Sequence, residues 1–233
     1  MSEMSKMSEM SYDIIDYSEF DHETIRYGPV ITSRIFNSNR IEVNNSKNNT
    51  LVLRTPIMRT SKIRKFDCST PSYSVYLNYQ SSLNSEMFYK KIKEFELKII
   101  SDCVKNSEEW FGKKMTKELV ENMFIPMVRY PTDSETYEPD MSKPQIMPLR
   151  IQHREGVFDV EFYNMDKSVI FNSENAKSFL MKEDFESIIP DDSYMVACIK
   201  CRCIWYCNGK IGVSWELIQS ILNDYDEMDE VPH

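Results

Sequence analysis

Residues 193–219 read SYMVACIKCRCIWYCNGKIGVSWELIQ. Two readings compete for this stretch. Four cysteines, Cys198, Cys201, Cys203 and Cys207, fall within ten residues and suggest a metal site. Lys, Arg, Trp and Tyr alternating with apolar residues suggest a strand instead. Structural zinc sites pair two short ligand knuckles separated by a longer loop. Here all four thiols lie on one continuous segment of β-formers, where successive side chains point to opposite faces. Cys201, Cys203 and Cys207 then face one way and Cys198 the other, which does not enclose a tetrahedral ion. The segment is a strand, and no metal is expected.

Alternation assigns the odd positions, Met195, Ala197, Ile199, Cys201, Cys203 and Trp205, to the core. Asn208-Gly209 marks a hairpin turn. A two-residue turn would place Ile211, Val213 and Trp215 on the face of Arg202, Ile204 and Tyr206, dividing the core between faces. A three-residue loop that aligns them with Cys207, Trp205, Cys203 and Cys201 is therefore expected. Lys200, Arg202 and Tyr206 are left outside. Cations for phosphate and rings for bases are what a single-stranded nucleic acid needs; the same pattern also suits an ordinary solvated strand face.

Working outward, several more strands come into view. GPVITSRIF, NRIEVNN and NNTLVLRTPIM are β-like, and SYSVYLNYQ carries Tyr73, Val75, Leu77 and Tyr79 on one side. Ser85 is the expected N-cap of a helix whose Phe88, Ile92, Phe95 and Ile99 form one apolar stripe. A shorter helix follows near Trp110, and two further strand-like runs flank Arg154-Glu155-Gly156. Many short strands with helices inserted between them predict a mainly β chain, a small barrel or sandwich with helical decoration.

The 233 residues suffice for one core, and we expect one domain over 24–223. Residues 1–23 contribute −6 and are expected to form a disordered acidic arm, since MSEMSKMSEMS is low in complexity. The tail 224–233 contributes −5 through Asp224, Asp226, Glu227, Asp229 and Glu230. Of the total of −9, the body therefore carries +2, a mildly basic object between acidic ends. Neither a membrane span nor a signal peptide is visible, so a soluble intracellular chain is expected.

Arg54, Arg59, Lys62, Arg64 and Lys65 form the densest basic stretch, followed closely by Tyr76. They read either as a phosphate-tracking patch beside a stacking ring or as a charged loop beside core tyrosines. Trp110 is likewise either a stacking platform or core. His22, His153 and His233 are scattered, and neither a Gly-rich phosphate loop nor HExxH nor GxSxG occurs. An enzyme is not expected, and neither is a cofactor.

Thr55-Pro56, Trp110-Phe111-Gly112 and the hairpin Trp205…Gly209-Lys210…Gly212-Val213…Trp215 resemble a protein family of large nucleocytoplasmic DNA viruses, similar to phage-type single-stranded-DNA-binding proteins. The resemblance spans roughly residues 50–220. It implies a five-stranded OB-fold barrel with inserted helices and single-stranded DNA as the partner. It places the protein in viral replication, recombination or repair, in the host cytoplasm or nucleus. It also implies an acidic tail, Tyr225 within it, that contacts viral replication proteins and regulates DNA binding. The tail ends in Val231-Pro232-His233 where the phage proteins commonly end in an aromatic residue. Homo-oligomers are compatible with this reading. A virion scaffold that binds other proteins is the alternative.

Overall fold

The structure, a computed structural model, describes residues 12–33, 38–67, 71–190 and 193–223. Strand occupies 41% of it and helix 23%, so sheet geometry sets the architecture. The first part of the chain supplies β1 (Ile14–Asp16), β2 (Arg26–Ser33), β3 (Ser38–Asn44), β4 (Val52–Arg54), β5 (Met58–Thr60), β6 (Arg64–Phe66) and β7 (Ser72–Asn78). Helices α1 (Leu83–Lys105), α2 (Ser107–Phe111) and α3 (Lys117–Met123) follow. Next come β8 (Ile146–Ile151), β9 (His153–Arg154), β10 (Val157–Phe158), β11 (Glu161–Tyr163), β12 (Val169–Phe171) and α4 (Ala176–Leu180). The chain closes on the long hairpin β13 (Tyr194–Cys207) and β14 (Lys210–Asn223).

Five of these ladders join end to end. β5 pairs antiparallel with β7, β7 antiparallel with β8, and β8 parallel with β14. β14 then pairs antiparallel with β13, and β13 antiparallel with β5. The circuit of pairings thus returns to its start, with β3 and β4 added along β13 and β11 along β14. Val75 and Leu77 of β7, Leu149 of β8, Met195 and Ile199 of β13, and Leu217 of β14 are fully buried. Helix α1 lays its Phe88, Ile92, Phe95 and Ile99 stripe on this core, with no solvent exposure at any of the four. Phe95 meets Trp215 edge-on at 5.8 Å.

Three expectations are corrected. The hairpin turns on two residues: Asn208 (φ 49°) and Gly209 (φ 72°) sit in the left-handed region, and Cys207 pairs with Lys210. The divided core is repaired by a bulge instead of a longer loop. Register shifts between Cys201 and Cys203, leaving Arg202 unpaired, and inward and outward positions exchange beyond it. Ile204 is buried and Tyr206 packs on the core, while Trp205 turns outward. Helix α1 begins one turn early. Ser82 is its N-cap, accepting from the Ser85 amide at 3.3 Å, and Ser85 is buried with its hydroxyl accepting from the Gln80 amide. Finally, the acidic arm does not extend to residue 23. From Tyr12 on the chain is built into the fold, because Ile14 and Ile15 pair in parallel with β4 and Phe20 is buried against Phe95. Residues 1–11 and the tail from Asp224 lie outside the described residues.

Candidate nucleic-acid interface

The outward face of the circuit carries its own order. β7 turns Ser74 and Tyr76 out, and their partners on β8 are Arg150 and Pro148. Arg150 is opposite Glu216 of β14. Ser214 and Gly212 of β14 stand opposite Cys203 and Trp205 of β13, and Trp205 is opposite Arg40 of β3. Backbone pairing sets Arg64, Ser74, Arg150, Glu216 and Lys200 in one cross-strand row, and Arg40, Trp205 and Gly212 in a second row four residues along β14 on the same outward face. From β6 to β3 this face crosses five inter-strand gaps, roughly 24 Å of sheet at about 4.8 Å each.

An open groove of about 540 Å³ lies on this face. Arg40, Arg150, Arg154 and Arg202 line it, together with Trp205, Cys203 and Ser38. Glu216 forms its floor and is 3% exposed. One carboxylate oxygen is 3.0 Å from Lys200 Nζ and the other 3.3 Å from Arg202. The Gln152 amide, oriented to satisfy its neighbours, donates to Glu216 at 3.0 Å and accepts from Arg154 Nε at 2.9 Å. One buried acid thus holds three groups of the groove in place.

Several cations on the rest of the surface are paired with acids. Lys47, Arg54, Lys65, Lys114, Lys117 and Lys143 each have a carboxylate partner close by. Arg40, Arg150, Arg154 and neighbouring Arg129 have none within ion-pair distance among the described residues. Surrounding protein pushes the Arg129 guanidinium pKa down. Its surface is nonetheless exposed, and an arginine so placed stays charged at neutral pH.

Trp205 holds its place through Gly212. A Cβ at Gly212 would lie 2.5 Å from the indole Cζ2 and 2.8 Å from Cε2, so only glycine lets the ring lie against the sheet there. Among the described residues no other aromatic ring packs on Trp205, whereas Trp110 meets Tyr27 at 4.8 Å and Trp215 meets Phe95.

The residues singled out in the sequence scatter around this face. Arg202 enters the groove, half committed to Glu216. Lys200 is almost wholly enclosed, paired with Glu216 beneath the Tyr12 ring. Arg54 is clamped by Asp16 through two hydrogen bonds of 3.0 and 2.8 Å on the strand added by the N-terminal segment. Arg64 lies over the Tyr76 ring at 4.8 Å, at the far end of the row. Arg59 and Lys62 line a neighbouring depression with it, and Lys65 is 3.5 Å from Asp67. Tyr206 packs against Phe111 at 5.1 Å on the α2 side, away from the groove, because the bulge reverses its face. Trp110 is 4% exposed and has no free ring face to offer. Asp224, Tyr225, Asp226, Glu227, Asp229 and Glu230 fall outside the described residues.

Arg40, Arg129 and Arg150 are not singled out in the sequence, Arg154 reads there only as part of a turn, and alternation assigns Trp205 to the core. Each stands in a separate run, and only cross-strand pairing unites them. The cysteines also separate: Cys198 joins Val52 and Ile218 in a small outer cluster, Cys201 is fully buried, and Cys203 reaches the groove. Burial pushes all three thiols up from their ordinary range. Among the described residues no helix is long and apolar enough to cross a membrane.

No protein-family model matches this sequence, and no curated protein matches it. Among solved structures, the chain is similar to the single-stranded DNA-binding protein from bacteriophage Enc34 in complex with ssDNA. Identity is 12% over 85% of this chain and 97% of that one, with a TM-score of 0.48. A C-terminal truncation of the same phage protein gives 11% identity over 89% and 98% of the two chains, with a TM-score of 0.46.

Proposed function

We propose that this protein binds single-stranded DNA, without catalysis and with little regard to sequence, along the outward face that carries Arg64, Arg150, Trp205 and Arg40. The observation that carries the reading is the set of arginines, Arg40, Arg129, Arg150 and Arg154, left without carboxylates around a half-buried tryptophan. These four stand together around one indole, so an anion with regularly spaced charges meets them at once. Rings set between cations suit a strand whose bases are unpaired, since each base then offers a face to stack on.

In this reading the five-strand circuit is an OB barrel, with β5, β7, β8, β13 and β14 as its strands one to five. OB-folds bind oligonucleotides on strands two and three and on the loops between strands one and two and between four and five. That assignment puts Tyr76 and Arg150 on the binding strands, Lys62, Arg64 and Lys65 on the first loop, and Trp205 beside the last turn. Residues 12–223 are the DNA-binding body, and the acidic tail 224–233 competes with DNA for the groove or docks on replication proteins. The setting is viral DNA replication, recombination or repair, in the host cytoplasm or nucleus.

Fluorescence anisotropy of a labelled oligo-dT of about 30 nucleotides tests the reading. Four phosphate-binding arginines give a slope of log K against log salt of about −3, and duplex competes poorly. Absence of binding at low salt, with the tail removed as well, overturns it.

A further inference from the structure

Across Trp205 from the arginine groove lies a second depression of about 250 Å³. Pro126, Met127, Pro148 and Val213 line it, with exposed Arg129 and Arg150 beside them. The segment bearing Pro126 and Met127 is tied down on both sides. The Ile125 amide donates to the Ile211 carbonyl at 2.8 Å, and the Met127 amide donates to buried Glu96. Trp205, Arg150 and Ser214 line both depressions, so the indole is the partition between them.

We propose that this second depression seats one nucleobase of a bound single strand, stacked on the Trp205 indole, with Arg129 and Arg150 holding the adjoining phosphates. The inference rests on the single-stranded-DNA reading and adds to it a site, an occupant and a stacking residue. Three features carry it. The indole lies against the backbone at Gly212, so the sheet limits the ring on one side before a base arrives. Proline, methionine and valine offer an apolar slot that takes any base and reads no hydrogen-bonding edge. Two arginines without carboxylate partners stand at that slot and supply the charge complementarity a nucleotide needs.

The full chain and its Trp205→Ala and Trp205→Phe variants are titrated with oligo-dT and with an abasic deoxyribose-phosphate oligomer of equal length. Anisotropy and tryptophan fluorescence are read together. Trp110 is enclosed in the core, while Trp215 also lines the depression and is retained in Trp205→Phe, so the quench lost in that variant is the part that reports Trp205. Wild type is quenched, Trp205→Phe keeps most of the affinity and loses that part of the quench, and Trp205→Ala binds oligo-dT roughly tenfold more weakly. Binding of the abasic oligomer is the same in wild type and Trp205→Ala. Equal affinity of Trp205→Ala and wild type for oligo-dT, or binding without quench, overturns the base site and leaves the single-stranded-DNA reading standing. An equal loss by Trp205→Ala on both oligomers makes the indole a structural group and also overturns it. Failure of wild type to bind either oligomer overturns the inference and the function together.

Discussion

Glu216 lies on the floor of the groove with Lys200 and Arg202 drawn onto it, and it is the most consequential single acid in the molecule. Removing one partner of an enclosed ion pair leaves the other charge stranded in a poorly solvated place. Glu216→Ala is therefore expected to lower the free energy of unfolding by about 3 kcal/mol, measured by urea denaturation. Adding Lys200→Met to Glu216→Ala removes the stranded ammonium and should recover a substantial part of that loss. A double variant no more stable than Glu216→Ala alone would show that the pair is not the cause. The same carboxylate sets the groove's direction, since Gln152 and through it Arg154 are oriented from Glu216.

At the scale of elements, β1 is a short strand with a single electrostatic clasp. Asp16 accepts from the Ser18 hydroxyl and amide and from Arg54, and these hydrogen bonds hold its carboxyl below the usual carboxylate range, the Ser18 hydroxyl most of all. A carboxyl whose pKa is lower folded than unfolded stabilises the fold above the unfolded value, near 3.9 for aspartate. That contribution disappears as pH falls through the lower, folded value. Asp16→Asn should flatten the loss of stability below about pH 4, read from thermal melts across that range. An unchanged acid limb would mean that β1 is held by Ile14, Ile15 and the backbone ladder alone. The bulge at Arg202 acts at this scale too. One unpaired residue exchanges Trp205 and Tyr206 between core and surface, and with them the stacking candidate.

For the whole molecule, charge is divided by position along the chain. Residues 12–223 carry −3, and the ten residues that follow Asn223 at the end of β14 carry −5. Fully extended, ten residues span at most about 35 Å, enough to run back along the hairpin toward the groove. Truncation after Asn223 is expected to tighten oligo-dT binding severalfold at low salt, with the difference fading as salt rises and screens both partners. Equal affinities at low salt would overturn competition between the tail and DNA for the groove.

Periodicity and side-chain chemistry by themselves determined much of this protein. The β-rich class, the strand nature of Cys198–Cys207, the turn at Asn208-Gly209, the apolar stripe of α1 and the inward face of β7 all follow from patterns within one element. The groove followed from none of them. Arg40, Arg129, Arg150 and Arg154 come from four separate runs, and simple alternation counts Trp205 among the core positions of its own strand. Only the pairing of β3, β13, β14 and β8, together with a bulge whose position alternation does not encode, sets those side chains on one face. Ion pairing is equally non-local: Asp16 neutralises Arg54 across 38 residues, so a dense basic run was a poor guide to which cations remain unpaired. Local periodicity is written in neighbouring residues, whereas a binding face is written in contacts between strands that meet only after the chain has closed.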